Sequence, residues 1–342
     1  MNDFPHAHAS SDETSLQPVA TTDGSITCYH PETGELYHNR SGAMSEAWRN
    51  YVLPSDAWET LCKKRHLRVL DICFGLGYNT WVLLEYLLQR SRQLELDPFF
   101  EGVDPRSESD DFSDCAIEVV TIESDPVIYQ IIPDVLDFMG FTSLKLFSSI
   151  LEHNIYYQTQ NKPSPLTLVI AENPKIVLTI CTQDLRKIIP NLTSNLDQKT
   201  GFDLIFHDAF SPMKVPQLWT SDLFSAYHAL LSSRKGRLLT YSATGAVRGG
   251  LHENGFNLYR TQGLGQKTGG TLASVMPVIP DEHRIFALTD AELEYMDSRA
   301  GIPFRDPSGQ LSIDSTTQAV LALRQKEQAA STRPTPIRHY KQ

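Results

Sequence analysis

The chain has 342 residues and a formal net charge of −11, with 41% hydrophobic and 21% charged residues. That length and mix suit one large or two small globular domains whose core stands without disulfides or metal staples. The charge excludes a passive polybasic nucleic-acid binder, though not an enzyme with a local basic groove. Five cysteines, Cys28, Cys62, Cys73, Cys115 and Cys181, form no CxxC pair and read as reduced thiols, not a disulfide framework or a metal site. The start, MNDFPHAHASSDETSLQP, has neither the basic nor the apolar part of a leader, and no apolar run reaches bilayer length. A soluble, cytoplasmic protein without membrane or metal partners is the expectation.

Before Arg40 there is no Lys or Arg, and residues 1–24 read as a disordered tail. SITCYHPETGELY (25–37) predicts a hairpin turning at Pro31-Glu32-Thr33-Gly34. Short helices are expected at Ser45–Tyr51 and Ala57–Lys64. Arg68–Cys73 predicts a buried strand running into Phe74-Gly75-Leu76-Gly77-Tyr78-Asn79 and a helix over Thr80–Gln89. Residues 91–115 form an acidic insert, an ordered excursion or a mobile loop. A strand at Ile117–Glu123 and a helix at Pro126–Met139 follow. Leu166–Ala171 and Lys175–Thr182 predict a hairpin, with Asp184 at the next helix start. Strand Phe202–His207, helix Leu218–Leu231, strand Arg237–Tyr241, helix Ala246–Asn254 and strands Asn257–Thr261 and Thr271–Val275 complete the alternation. The order is that of an α/β fold with a mainly parallel sheet. The tail after Pro280 holds one predicted helix, Thr316–Ala329, and ends basic with Arg333, Arg338 and Lys341.

Four groups carry candidate chemistry. Asp71 and the Gly75-x-Gly77 turn lie where a strand meets a helix, the place where open α/β sheets bind ligands. Thr80 stands where a third glycine of GxGxxG would be. Glu123 ends the second strand, placed to accept hydrogen bonds from two ribose hydroxyls. Together these favour a nucleoside ligand without a pyrophosphate, S-adenosylmethionine in place of a dinucleotide. Asp184 fits either an adenine acceptor or a plain helix cap. Asp208 ends a strand and opens DAFSPMKVPQLW, a Pro-punctuated loop where it can hold an amine nucleophile. Phe210 and Trp219 are candidate stacking surfaces as well as candidate core residues. Lys214, Arg248 and Lys267 are candidate phosphate contacts. Residues 201–275 hold seven Lys/Arg and four Asp/Glu, a local net of +3.

Those stretches, together with TCYHPETGELYHNRSGAMSEAWRNYV (27–52), DICFGLGYNTWVLL (71–84), TYSATGAVRGGLHENGF (240–256) and GLGQKTGG (263–270), resemble the MnmC-like methyltransferases. These complete the 5-methylaminomethyl group of the tRNA wobble uridine. DAFSPMKVPQLW follows the family's D-x-F-x-P-x-K-x-P-x-x-W pattern. The resemblance implies a class I S-adenosylmethionine-dependent methyltransferase fold, Rossmann-like, with a seven-stranded sheet and an antiparallel last strand. The expected domain spans 25–280, with a hairpin or lid at 25–66 and a C-terminal extension at 281–342. The resemblance implies cofactor contacts at Asp71, Phe74, Gly75, Gly77, Asn79, Glu123 and Asp184. It places Asp208 at the substrate amine, and Tyr37, Phe210, Lys214, Trp219 and Lys267 toward the substrate, with Tyr37 to Glu46 bordering the site. Some relatives carry a fused flavin-dependent oxidase domain. After Val275 only about 67 residues follow, without a second GxGxxG, so methyl transfer without flavin is expected, with a separate enzyme supplying the aminomethyl precursor on the anticodon loop.

The implied reaction is in-line displacement of a sulfonium methyl by a primary amine, with the rate set mainly by alignment. Rival readings are a spermidine-synthase-like aminopropyltransferase, another small-amine methyltransferase, a nicotinamide dehydrogenase, and a non-catalytic RNA- or protein-binding relative. The first lacks a neighbouring Asp beside Asp208. The dehydrogenase lacks the third glycine.

Overall fold

The computed structural model describes residues 18–30, 33–103, 111–141, 143–144, 165–194, 201–231, 235–263, 269–281 and 283–336. Most of the expected tail, the turn residues Pro31 and Glu32, the middle of the acidic insert, Lys267 and the basic residues Arg338 and Lys341 lie outside the described residues.

The chain opens with a small antiparallel sheet of β1 (Pro18–Ala20), β2 (Ile26–His30) and β3 (Glu35–Leu36). The expected hairpin is β2–β3. Strand β1, in a segment read as tail, pairs Val19 with Thr27. It is held because Asp23 accepts hydrogen bonds from Thr21, Ser25 and Ser45 in the turn that follows. Helix α1 (Ala43–Ala47) runs through a wide turn, Trp48–Val52, into α2 (Ala57–Lys64).

Next come β4 (His66–Ile72), α3 (Tyr78–Ser91), β5 (Ala116–Ile122), α4 (Ile132–Met139), β6 (Leu166–Glu172) and β7 (Lys175–Cys181). They are followed by α5 (Leu185–Ser194), β8 (Leu204–His207), α6 (Ser221–Leu230), β9 (Arg237–Thr240), α7 (Gly245–Glu253), β10 (Asn257–Thr261) and β11 (Thr271–Ser274). The C-terminal segment adds β12 (Ile285–Ala287), α8 (Asp290–Asp297) and α9 (Thr317–Ala330).

The main sheet has nine strands, in the order β12-β10-β11-β9-β8-β4-β5-β7-β6. The inner strands β7, β5, β4, β8 and β9 are parallel, and β11 runs antiparallel beside β9. The expectation of seven strands is corrected by two antiparallel edge strands, β6 on β7 and β12 on β10. Both close edges that would otherwise present unpaired backbone. β4 is apolar on both faces because both faces are covered. α1–α4 pack one face with Leu67, Val69 and the helix residues Trp81 and Leu84. α5–α7 and the C-terminal segment pack the other with Leu70, Ile72 and Phe304.

The helix expected at Ser45–Tyr51 lies at Ala43–Ala47, α8 is an addition to the one helix expected after Pro280, and two further helices differ. The stretch over 126–139 splits into a short turn, Pro126–Gln130, and α4, because Pro133 has no N–H to continue a hydrogen-bonded turn. The helix predicted from Leu218 starts at Ser221, capped by the Thr220 hydroxyl on the Leu223 N–H. The described ends of the acidic insert are anchored. Phe100 lies 5.1 Å from Trp48, and Phe112 lies 4.7 Å from Trp58. No described helix is long and apolar enough to cross a membrane.

Candidate active site

Leaving β4, the chain goes first to β5 and later to β8 on its other side, so a crevice opens at the carboxyl ends of these three strands. Each strand delivers one group there: the Gly75–Gly77 turn after β4, Glu123 after β5 and Asp208 after β8. The small N-terminal sheet roofs the crevice. The cleft measures about 630 Å³ and is lined by His38, Glu46, Cys73, Glu123, Asp208 and Tyr241 among others. A side lobe of about 50 Å³ is lined by Cys73, Glu123, Gln183 and Asp184.

The glycines have different reasons. Gly75 has φ +52°, and a Cβ there would sit 3.1 Å from the Tyr37 ring. Its N–H donates to Glu123 Oε2 at 3.0 Å. Gly77 has φ +80°, and a Cβ would fall 2.4 Å from both Phe74 Cζ and Trp81 Nε1. Gly77 is therefore required by packing. Glu123 also accepts the Asp125 N–H at 3.0 Å. Burial pushes its carboxyl above the usual range, and these two N–H groups hold it partly back.

Asp208 accepts the side-chain amide of Asn79 at 2.8 Å, and the neighbouring Tyr51 hydroxyl donates to the His207 carbonyl at 3.4 Å. Tyr51 is fully buried and accepts the Tyr241 N–H at 3.1 Å. The Tyr241 hydroxyl in turn donates to the Ala209 carbonyl at 2.9 Å. The roof is clasped to the Asp208 loop by Glu35, whose carboxylate accepts the Ser211 N–H at 3.0 Å and hydroxyl at 2.6 Å. His30, Tyr37 and Phe210 form an aromatic wall, with ring centroids 4.8 Å apart for His30–Phe210 and 5.1 Å for Tyr37–Phe210.

Several sequence candidates lie elsewhere. Asp71 is fully buried under the turn, bound by the Thr80 hydroxyl at 2.6 Å, and burial pushes its carboxyl well up. Phe74 is buried against Trp81 and Tyr129. Trp219 is fully buried, its indole N–H on the Phe210 carbonyl at 2.8 Å, so it supports the loop and offers no stacking face. Lys214 is exposed on the loop and does not line the cleft. Arg248 is buried and paired with Glu292 at 2.9 Å, so it is no phosphate contact. Asp184 borders the side lobe, but its carboxylate is engaged by Arg186 at 2.7 Å, and its Oδ1 caps the Arg186 N–H at 2.9 Å. Burial raises the Asp184 carboxyl, and the Arg186 bonds more than offset this. The same guanidinium donates to the carbonyls of Ser312 and Ser315 at 3.1 and 3.2 Å. Sequence reasoning did not single out His30, Glu35, His38, Tyr51 or Tyr241. His30, Glu35 and His38 were marked only as part of the early hairpin and the Tyr37–Glu46 border, and Tyr51 and Tyr241 only by their places in the 27–52 and 240–256 stretches.

The cleft lining carries five carboxylates, Glu35, Glu46, Glu123, Asp125 and Asp208, against one guanidinium, Arg40. Such a site favours cations. A sulfonium cofactor with a ribose fits it: Glu123 offers acceptor oxygens, and the glycine turn lets the backbone approach closely. Among the described residues no cluster of His, Cys, Asp and Glu is arranged to hold a metal ion.

Residues 150–276 match the family described as S-adenosyl-L-methionine-dependent methyltransferase. The chain is 25% identical over 286 residues to an uncharacterized protein, MJ0670, of Methanocaldococcus jannaschii, covering 82% of this chain and 67% of that protein. It is 24% identical over 265 residues to the tRNA 5-methylaminomethyl-2-thiouridine biosynthesis bifunctional protein MnmC of Cupriavidus metallidurans, covering 77% of this chain and 34% of that protein. The chain thus spans about a third of the length of this bifunctional relative. The crystal structure of MnmC2 from Aquifex aeolicus is similar with a TM-score of 0.65 and 24% identity, covering 94% of this chain and 87% of that one. The fold is that of the class I S-adenosylmethionine-dependent methyltransferases.

Proposed function

We propose that this chain, an S-adenosylmethionine-dependent methyltransferase with the MnmC-like fold, methylates the primary amine of 5-aminomethyluridine at the tRNA wobble position. The observation that carries the reading is Asp208, a cleft carboxylate at the end of β8 whose Oδ2 accepts the Asn79 amide at 2.8 Å. A carboxylate oriented by one donor keeps its remaining lone pairs for an ammonium or amine. The similarity to MnmC proteins supports the tRNA substrate.

S-adenosylmethionine supplies an electrophilic methyl group. The chain's own residues do the rest. Glu123 accepts the ribose hydroxyls, and the Gly75 turn sets the cofactor's depth. Asp184 and its lobe border the adenine. Asp208 holds the nitrogen in line, and alignment provides most of the acceleration. The wall of His30, Tyr37 and Phe210 stacks against a base extruded from the anticodon loop. Lys214, exposed on the loop after Asp208, is available to a phosphate. A soluble, cytoplasmic enzyme of this kind takes its aminomethyl substrate from a separate enzyme.

The test is methyl transfer from labelled S-adenosylmethionine to tRNA from cells lacking this protein, followed by nucleoside mass analysis. Conversion of 5-aminomethyl- to 5-methylaminomethyluridine is expected. Transfer to small amines but no tRNA, or transfer of an aminopropyl group, would overturn the reading.

A further inference from the structure

One cleft residue has no role in that reading. His38 is 8% exposed and lines the cleft, and its Nε2 is buried without a hydrogen-bond partner among the described residues. Buried polar atoms are rarely left so, and an orphan in a ligand cleft calls for an explanation. The ring is held in place. Its edge meets the Tyr78 ring at 5.0 Å, and the His38 N–H donates to Thr27 Oγ1 at 2.9 Å. The next residue, Asn39, donates its N–H to the Glu46 carboxylate at 3.2 Å.

We propose that His38 is a further catalytic residue, the group that takes the proton from the substrate ammonium while Asp208 holds the nitrogen. This rests on the amine-methylation reading. The bound R–CH2–NH3+ gives one proton to the neutral imidazole. The freed lone pair forms the N–C bond as the C–S bond breaks and its electron pair returns to sulfur. The nitrogen leaves as R–CH2–NH2+–CH3, and the imidazolium then releases its proton to solvent.

A division of labour follows from charge. If Asp208 took the proton it would lose the charge that holds the nitrogen. A proton on His38 leaves that charge in place, and the carboxylate then stabilises the imidazolium. The groups facing His38 fit both states. Burial keeps the ring neutral and vacant at rest, while Asp208, after β8, and Asp23, in the β1–β2 turn, favour the protonated form. Tyr78 of α3 is a protonated phenol, pushed up by burial. Glu46 of α1 lies one residue along, on Asn39.

The test uses His38→Asn and His38→Gln in single-turnover transfer to tRNA bearing 5-aminomethyluridine, with cofactor affinity measured separately. Both variants are expected to bind the cofactor normally and to react roughly 100-fold slower near neutral pH. The gap should close at alkaline pH, where the amine is already neutral. A loss that is the same at every pH, or no loss, overturns the inference. A second readout needs neither variant nor turnover: the His38 imidazole resonance, titrated by NMR, should move to a lower midpoint in Asp208→Asn. An unmoved midpoint overturns the inference even if both His38 variants fail to fold. Wild-type protein that binds cofactor but transfers nothing to this nucleoside overturns the functional reading and the inference with it.

Discussion

Asn79 and Asp208 meet at the floor of the cleft, with Asn79 Nδ2 2.8 Å from Asp208 Oδ2. They lie 129 residues apart in sequence, yet they follow β4 and β8, which are hydrogen-bonded neighbours. The helix that starts after the glycine turn therefore orients the acid at the other strand. Asn79 was expected to touch the cofactor. Its buried amide links the helix after the glycine turn to the acid after β8.

Asn79→Ala should separate binding from turnover. A hydrogen bond to a charged group contributes about 1.5–3 kcal/mol, so single-turnover transfer should fall by roughly 10- to 100-fold. Cofactor affinity by calorimetry should stay within a few-fold. Loss of affinity matching the loss of rate would return Asn79 to the cofactor.

Glu123→Ala should act the opposite way. On the proposed reading it removes the acceptor of two ribose hydroxyls, and cofactor affinity should drop by roughly 100-fold or more. Burial raises the wild-type carboxyl above its ordinary range. Acidification should therefore protonate it early, and cofactor affinity should begin to fall above the free-glutamate value of about 4.3. An affinity that holds down to that value would show that the ionised form is not what binds.

Asp71 makes a stability prediction with a definite sign. Its folded carboxyl is raised well above the ordinary value by burial. The native state then keeps a proton that the unfolded state has lost above about pH 3.9. Stability is lost as pH rises through that window. Asp71→Asn cannot lose a proton, so its melting temperature should exceed wild type at mildly alkaline pH, with the difference shrinking on acidification. Parallel pH dependences in the two proteins would contradict this.

Arg248 tests the corrected assignment. Its pairing with buried Glu292 and its bond to Thr271 Oγ1 at 3.0 Å make it a structural cation. Arg248→Met should destabilise by about 3–5 kcal/mol, because it strands the glutamate. Adding Glu292→Leu should recover much of the loss in chemical denaturation. The affinity of the folded variant for tRNA should be unchanged.

What the sequence made legible were features with local signatures. The alternation of strands and helices, the strand ends at Glu123 and Asp208 and the loop after Asp208 all declare themselves within a few residues. The misreadings share a cause. Trp219 looked like a stacking surface because an aromatic in a loop cannot be told from a core residue until its indole is seen on the Phe210 carbonyl. Arg248 looked available because its partner, Glu292, is 44 residues away and is chosen by the fold. The edge strands β1 and β12 are three residues long, so their apolar pattern is weak and their pairing depends on a neighbour. His38 and Tyr51 gave no signal because a buried polar residue looks in sequence like any surface one.

The C-terminal segment is more than an appendage. The Phe304 carbonyl accepts the Ser221 N–H at 2.8 Å, Arg305 grips Glu253 at 2.8 Å, and Arg324 lies over the Phe304 ring at 4.7 Å. Through Arg186 the carbonyls of Ser312 and Ser315 also brace the lobe beside Asp184. Cutting the chain at Pro280 would uncover the α5–α7 side of the sheet and loosen one wall of the lobe beside Asp184 together. A piece that keeps this face of the sheet covered therefore extends into α9, whose Val320 is fully buried in the same core.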